Sequence, residues 1–120
     1  MVATRSVRVL RRELLSAMSD VVEAAESLRK QMLQVRSLTQ RSARHIEQGG
    51  RVSDLRATMN IASMRASNDQ ALERLAAARL RAQRAQYRLA SAEGLRAAEI
   101  ARIYGVSRQL VSRVLNEPAL

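Results

Sequence analysis

Apolar side chains recur at seven-residue intervals along the first third of the chain. One series consists of Val7, Leu14, Val21, Leu28 and Val35, and a second consists of Leu10, Ala17, Ala24, Gln31 and Leu38. This spacing is typical of a helix whose apolar stripe packs against another helix. The stripe is wider than a two-stranded zipper needs, so the pattern favours a helical bundle. We assign the first series to an arm through which two copies of the chain pair.

The first helix is expected to end near Gln48. Gly49 and Gly50 follow, and glycine is the favoured residue just past a helix end. A helix of some forty residues is about 60 Å long, so its stripe must pack on the next segment, on a second copy, or on both. The sequence leaves open whether Gly49 and Gly50 close a hairpin within one chain or exchange it between chains.

Residues 53–93 carry another apolar series. Ser53 is a suitable N-cap, and Ser67-Asn68-Asp69-Gln70 has the Ser-x-x-Gln spacing of a capping box, which would break the segment there. One helix and two helices both fit the pattern. The apolar face is rich in alanine and buries little area, which makes a single chain marginally stable. We therefore predict a homodimer that forms a four-helix bundle.

The last quarter of the chain has a different pattern. Gly94, followed by Leu95, has the form of a Schellman helix end. Beyond it the sequence predicts two short helices joined by a turn at Gly105, the second of them capped by Ser107. The residues expected to form the core and turn of this motif are Ile100, Ala101, Tyr104, Gly105, Val106, Val111 and Val114.

Composition supports a helical protein. Of the 120 residues 47% are hydrophobic, mostly Ala, Leu, Val and Met, and the only aromatic residues are Tyr87 and Tyr104. Cysteine is absent, which excludes a disulfide framework and thiolate metal sites. The predicted fold is all-α, with a long helical hairpin or coiled-coil arm over residues 1–70 and a trihelical head over residues 71–120.

The charge points to a polyanionic partner. The chain carries 21 basic residues against 11 acidic ones, a net charge of +10, and all the basic residues except Lys30 are arginines. Such an excess favours nucleic acid over other partners. No apolar leader follows the basic start, and no uncharged run approaches the ~20 residues of a spanning helix. We expect a cytoplasmic, nucleoid-associated protein without a membrane partner.

Residues for catalysis are sparse. His45 is the only histidine, and it is expected to be a solvated or interface side chain. Asp20, Glu23 and Glu26 form an acidic stripe that we expect to pair with arginines rather than to bind a metal. Gly49 and Gly50 lack the following Lys and Ser or Thr of a phosphate loop. The sequence therefore predicts neither an enzyme, nor a cofactor, nor a metal site.

The C-terminal motif resembles bacterial helix-turn-helix DNA-binding proteins. G-V-S-R-Q-L-V-S-R-V-L-N, residues 105–116, is similar to the recognition-helix region of the lac repressor family. E-G-L-R-A-A-E-I-A-R, residues 93–102, is similar to sigma-type motifs and those of small bacterial regulators. The resemblance covers about a fifth of the chain. The motif is C-terminal here, unlike in the lac repressor family, and Arg96 stands where a Ser or Thr N-cap is common.

The resemblance implies a role in reading double-stranded DNA. It implies base contacts from Ser107, Arg108, Gln109, Leu110, Ser112 and Arg113, and phosphate contacts from Arg96 and Arg102. The predicted function is a homodimeric transcriptional regulator, bacterial or phage, that reads a specific sequence. Two alternatives remain open: an architectural chromosome-binding protein with weak sequence preference, and a helical adaptor whose N-terminal arm binds a protein partner.

Overall fold

A computed structural model describes residues 6–58 and 61–117, without the side chains of residues 56–58. It is all-helical over these residues, as predicted. The helices are α1 (Val7–Glu47), α2 (Val52–Thr58), α3 (Ile61–Ala92), α4 (Ala97–Tyr104) and α5 (Arg108–Leu115). The chain forms two compact units. The terminal unit comprises the described residues of 1–21 and 78–120, and the middle unit those of 22–77, whereas the sequence suggested one boundary after residue 70.

In the middle unit, α1 and α3 pair in antiparallel directions. The Gln31 amide donates to the Asn68 side-chain oxygen over 2.7 Å. Arg74 donates to the Ser27 hydroxyl over 2.9 Å and lies 3.8 Å from the Glu23 carboxylate. The half-buried positions of α3 in this unit are Met64, Asn68, Ala71 and Leu75, which follow the alternating steps of four and three of a coiled-coil stripe.

In the terminal unit, small side chains join the same two helices. Ala17 of α1 is buried with Ala82 and Ala85 of α3, and Leu14 and Val21 pack against this cluster. Alanine allows the helix backbones to approach closely but contributes little buried area. At the edge of the contact Arg81 pairs with Asp20 and donates to the Ser16 hydroxyl over 3.4 Å.

The stripe assigned to pairing between chains is used within the chain. Leu14, Val21, Leu28 and Val35 are all half-buried in a single copy, whereas Val7 is 40% exposed. Their burial arises because α3 returns along α1. The sequence left open whether the stripe packs on the next segment, on a second copy, or on both. In the structure it packs on the next segment of the same chain. The assignment of this series to a contact between two copies of the chain stays a prediction.

The connection between α1 and α2 begins as predicted. α1 ends at Glu47, and the Gly50 N–H donates to the His45 carbonyl over 2.8 Å. A Cβ on Gly50 would overlap the His45 ring, so a larger residue there would displace that side chain. The His45 ring lies 3.1 Å from the Asp54 carboxylate. The single histidine thus lies in the last turn of α1 and pairs with a carboxylate of α2.

Two predicted helix signals were wrong. α2 begins at Val52, and the Arg51 N–H donates to the Asp54 carboxylate over 3.1 Å, so Ser53 is not the N-cap. The segment from Ser67 to Gln70 does not break α3, which runs through it. The Asn68 side chain is occupied by Gln31 across the hairpin. This tertiary contact overrides the local capping signal. The span for which the sequence allowed one helix or two, residues 53–93, holds two helices, α2 and α3.

The acidic stripe on α1 pairs with arginines, as predicted. The Glu26 carboxylate pairs with two nitrogens of the Arg29 guanidinium, and the shortest distance between nitrogen and oxygen is 2.7 Å. Glu23 and Asp20 instead face arginines of α3. Within the described residues no cluster of three or more His, Cys, Asp or Glu side chains is arranged to hold a metal ion.

Candidate nucleic-acid interface

The end of α3 is closed by two backbone hydrogen bonds. The Leu95 N–H donates to the Ala90 carbonyl over 3.0 Å, and the Gly94 N–H donates to the Ser91 carbonyl over 3.1 Å. This is the bonding pattern of a Schellman motif, and it confirms the predicted helix end. The reversal brings α4 and α5 back onto the last turns of α3.

The core of this region is formed by α3, α4 and α5 together. Tyr87 of α3, Ile100 of α4 and Val111 of α5 are almost completely buried, with Ala101 and Val114 beside them. The partly buried apolar residues around this core are Ala90, Leu95, Ala97, Val106, Leu110 and Leu115. Four predicted core residues, Ile100, Ala101, Val111 and Val114, are therefore confirmed.

Two predicted core residues lie nearer the surface. Val106 is partly buried and packs against the core. Tyr104 is 38% exposed, and its ring meets the Tyr87 ring edge-on with 5.2 Å between centroids. Tyr87 occupies the interior position because it lies on a second face of α3, directed away from the stripe that packs on α1. Tyr104 instead covers the edge of the core.

The turn between α4 and α5 depends on Gly105. Its φ of +65° is in the left-handed region that favours glycine. The Val106 N–H donates to the Ala101 carbonyl over 3.0 Å and closes the end of α4. This turn sets the direction in which α5 leaves α4.

α5 starts at the predicted N-cap. The Ser107 hydroxyl accepts a hydrogen bond from the Leu110 N–H over 3.1 Å. Ser107 is in an extended conformation, and the helix begins at Arg108. The cap satisfies one of the free N–H groups of the first turn, so it fixes the part of α5 that carries Arg108 and Gln109.

Replacing Ser107 by alanine is expected to lower the free energy of unfolding by about 1 kcal/mol, because the Leu110 N–H loses its acceptor. Urea unfolding followed by circular dichroism measures the change. Ser107→Asp is the matched control, since it retains an accepting oxygen and is expected to keep the wild-type midpoint. An equal loss in both variants would contradict the capping role.

Glu99 stabilises the start of α4. Its carboxylate accepts hydrogen bonds from the Arg96 backbone N–H over 3.2 Å and from the Arg96 guanidinium over 3.1 Å. The backbone hydrogen bond, followed by the side-chain one, lowers the pKa of Glu99. Glu99 thus fulfils its predicted role of supporting a helix end that has Arg at the N-cap. Arg96 is strongly exposed but paired with a carboxylate.

Most of the predicted DNA-reading residues lie on one exposed side of α5. Ser107, Arg108, Gln109 and Arg113 are exposed, and Ser112 is half-buried. Leu110 was predicted to point outward, but it is half-buried and packs against the core. The reason is that its position, one residue before Val111, lies at the boundary of the buried face. Arg102, on α4, is exposed.

Sequence reasoning missed two residues that position α5. One is Tyr87, whose ring fills the centre of the core. The other is Glu117, whose carboxylate lies 3.4 Å from Arg88 and 3.7 Å from Arg84, both on α3. The rarity of tyrosine in this chain was a signal that could have singled out Tyr87. Glu117 follows α5 directly, and no local pattern links it to residues about thirty positions earlier.

The buried Tyr87 hydroxyl predicts a loss of stability at high pH. Burial raises the pKa of Tyr87, whose hydroxyl has no hydrogen-bond partner among the described residues. The unfolded hydroxyl ionises near pH 10, below the folded one. The free energy of unfolding is therefore fully retained below about pH 10 and falls as pH rises from there through the folded pKa. Urea unfolding between about pH 9 and 11 tests this. Tyr87→Phe should flatten the dependence, whereas an unchanged slope in that variant would exclude Tyr87 as its source.

The terminal unit carries an excess of basic residues. Its described residues include eleven arginines and five carboxylates. Four of the arginines, Arg81, Arg84, Arg88 and Arg96, are paired with carboxylates. Arg102, Arg108 and Arg113 have no carboxylate within 4 Å among the described residues. On α5, Arg108 and Arg113 thus present positive charge without an ion-pair partner among the described residues, whereas Arg102 of α4 is near enough to Glu99 to lower its pKa.

Comparisons of the chain with known protein families, curated proteins and solved structures gave no match. Among the described residues, no helix combines the length and the apolar character needed to cross a membrane.

Proposed function

We propose that the protein binds double-stranded DNA through α5. The observation that carries this proposal is the division of α5 into two faces. Val111 and Val114 are buried in the core, whereas Arg108, Gln109 and Arg113 face solvent without a protein partner in the described structure. A short helix anchored in this way can enter the major groove with its polar side toward the bases.

The chemistry of the exposed side chains suits base recognition. Arg108 and Arg113 each offer a guanidinium that can bind guanine through two hydrogen bonds, and Gln109 offers the amide that matches adenine. Ser107, Leu110 and Ser112 complete the proposed base-contacting set. Leu110 would use only the part of its side chain that the core leaves exposed.

Phosphate contacts would orient the unit on the duplex. Arg102 is free to make such a contact, whereas Arg96 would have to share its guanidinium with Glu99. The excess of arginine over carboxylate in the terminal unit favours binding along the phosphate backbone. We therefore expect Arg102 to contribute more to DNA affinity than Arg96.

The complete proposal is a homodimeric, sequence-specific transcriptional regulator associated with the nucleoid, without enzymatic activity or cofactor. A two-fold dimer would place two copies of α5 in successive major grooves about 34 Å apart. This geometry implies a target with inverted half-sites about ten base pairs apart.

Selection from a pool of randomised duplexes tests the proposal. The retained DNA is sequenced after binding at low and at moderate salt. Recovery of inverted half-sites at both salt concentrations is the expected result. No retention at either salt concentration would overturn DNA binding and would favour the helical adaptor.

An architectural DNA-binding protein is the second candidate. It is favoured by the spread of positive charge, since the middle unit also has nine basic residues against six acidic ones. Such a protein binds mainly through phosphates and reads sequence weakly. In the same experiment it would retain DNA without sequence enrichment, and the retention would fall steeply as salt rises.

A further inference from the structure

The helices of the terminal unit pack in layers. Ala85 of α3 is buried with Ala17 of α1, whereas Tyr87 of α3 is buried with Val111 of α5. Two residues turn an α-helix by about 200°, so Ala85 and Tyr87 lie on opposite sides of α3. α1 is therefore one outer layer of this unit, and α5, with α4 beside it, is the other.

Both outer layers present arginine on the side that faces away from α3. On α5, Arg113 is exposed and lies two residues from the buried Val111. On α1, Arg8 and Arg12 are exposed, and each lies two residues from Leu10, a buried residue of the stripe that packs on α3. By the same helix geometry, the arginines of α1 and of α5 point outward in opposite directions.

No acidic residue neutralises the outward side of α1 in this unit. Its described part of α1 contains two acidic residues, Glu13 and Asp20. Glu13 is half-buried, and Asp20 pairs with an arginine of α3. Arg8 and Arg12 take part in no ion pair among the described residues. Arg11, at the edge of this side, is exposed as well.

We propose that the outward side of the first two turns of α1 is a second DNA-binding surface, which holds the phosphate backbone of a second duplex. This inference rests on the proposed function, which supplies the first duplex on α5. Positive charge without a protein partner attracts a polyanion, and contacts to phosphate require no particular base. The basic side is short, because the next residue along it, Leu15, is apolar and 64% exposed. We therefore expect this surface to bind without sequence preference.

The layered packing favours two duplexes over one. A duplex on α5 is separated from Arg8 and Arg12 by α3 and by the body of α1. Packed helices lie about 8–10 Å apart, so the axes of α1 and α5 are about 16–20 Å apart. This separation exceeds the Debye length of about 10 Å in 0.1 M salt, so the repulsion between duplexes on opposite sides is largely screened. The unit can therefore bridge two segments of DNA.

Capture of one duplex by another tests the proposal. A random duplex is immobilised, the whole chain is added at low salt, and a second, fluorescent random duplex is then applied. The wild type is expected to retain the fluorescent duplex, and the retention should fall steeply as salt rises. No retention of the fluorescent duplex at low salt would overturn the proposal.

A variant of α1 locates the second surface. Arg8→Ala, Arg12→Ala is expected to reduce retention. It should also lower the slope of log affinity against log salt for the fluorescent duplex by about 2, because two phosphate contacts are lost. Arg36→Ala, Arg41→Ala is the matched control, since it removes the same charge from exposed positions of α1 in the middle unit. It should leave retention and slope unchanged, and an equal change in both variants would overturn the proposal.

The variant Arg108→Ala, Arg113→Ala separates this inference from the proposed function. If both surfaces bind DNA, this variant and the α1 variant each lose bridging, while each still binds one duplex. Bridging that is lost only in the α1 variant would support the α1 surface and contradict DNA binding by α5. Bridging that is lost only in the α5 variant would assign it to two copies of α5 in a dimer, which would overturn the α1 surface.

Discussion

Sequence-specific DNA binding is expected to be lost in the variant Arg108→Ala, Arg113→Ala. Each guanidinium that binds a guanine through two hydrogen bonds contributes about 1–3 kcal/mol of discrimination. Removing both should weaken binding to the selected site on the order of 100-fold or more. Competition against random duplex at fixed salt measures the change, and circular dichroism checks that the helices are retained.

The matched control removes the same charge from a different surface. Arg36 and Arg41 are exposed on α1 in the middle unit, so Arg36→Ala, Arg41→Ala loses two positive charges without touching α5. A sequence-specific protein should keep its preference for the selected site in the control. Equal losses in the two double variants would instead indicate phosphate-driven, architectural binding.

Tyr87→Ala is expected to be the most destabilising single substitution in the terminal unit. The ring is 1% exposed and contacts the core shared by α3, α4 and α5. Truncating a buried aromatic side chain costs about 3–5 kcal/mol, part of it from the cavity that remains. Since domains of this size are stable by about 5–15 kcal/mol, urea unfolding should show a large shift of the midpoint.

Tyr104→Ala provides the comparison for this prediction. Its ring contacts Tyr87 edge-on but is 38% exposed, so the loss should be nearer 1 kcal/mol, the scale of an aromatic pair. If the two substitutions cost the same, Tyr87 does not hold the position in the core that the structure gives it.

The sequence was most informative where structure is set locally. Gly105 and Ser107 predicted the turn and the start of α5 because a positive φ and an N-cap hydrogen bond each depend on residues a few positions apart. The Gly94 helix end was predictable for the same reason. The buried positions Ile100, Val111 and Val114 followed from the spacing of apolar residues on two short helices.

Long-range contacts account for the features that the sequence did not predict. Asn68 lies in a pattern that resembles a helix start, but its partner is Gln31, 37 residues earlier. Tyr87 was missed because the spacing of apolar residues indicates only one apolar face on α3. The C-terminal end of α3 packs on two sides. Leu110 lies on the border between core and solvent, a position that periodicity alone does not resolve. Whether α5 reads DNA stays a prediction.

The amide pair between Gln31 and Asn68 also limits how the hairpin can misfold. If the helices slid by one heptad, Gln31 could lie beside Leu75 and Asn68 beside Leu38, and both amides would lose their partners. Both amides are half-buried, so an unpaired amide would cost only part of the about 1–3 kcal/mol of a fully buried polar group without a hydrogen bond, whereas the repetitive alanines and leucines around it would tolerate the slide. The hydrogen bond between the two amides thus favours the native register of α1 and α3. Without it, the apolar stripe would pack almost as well in several registers.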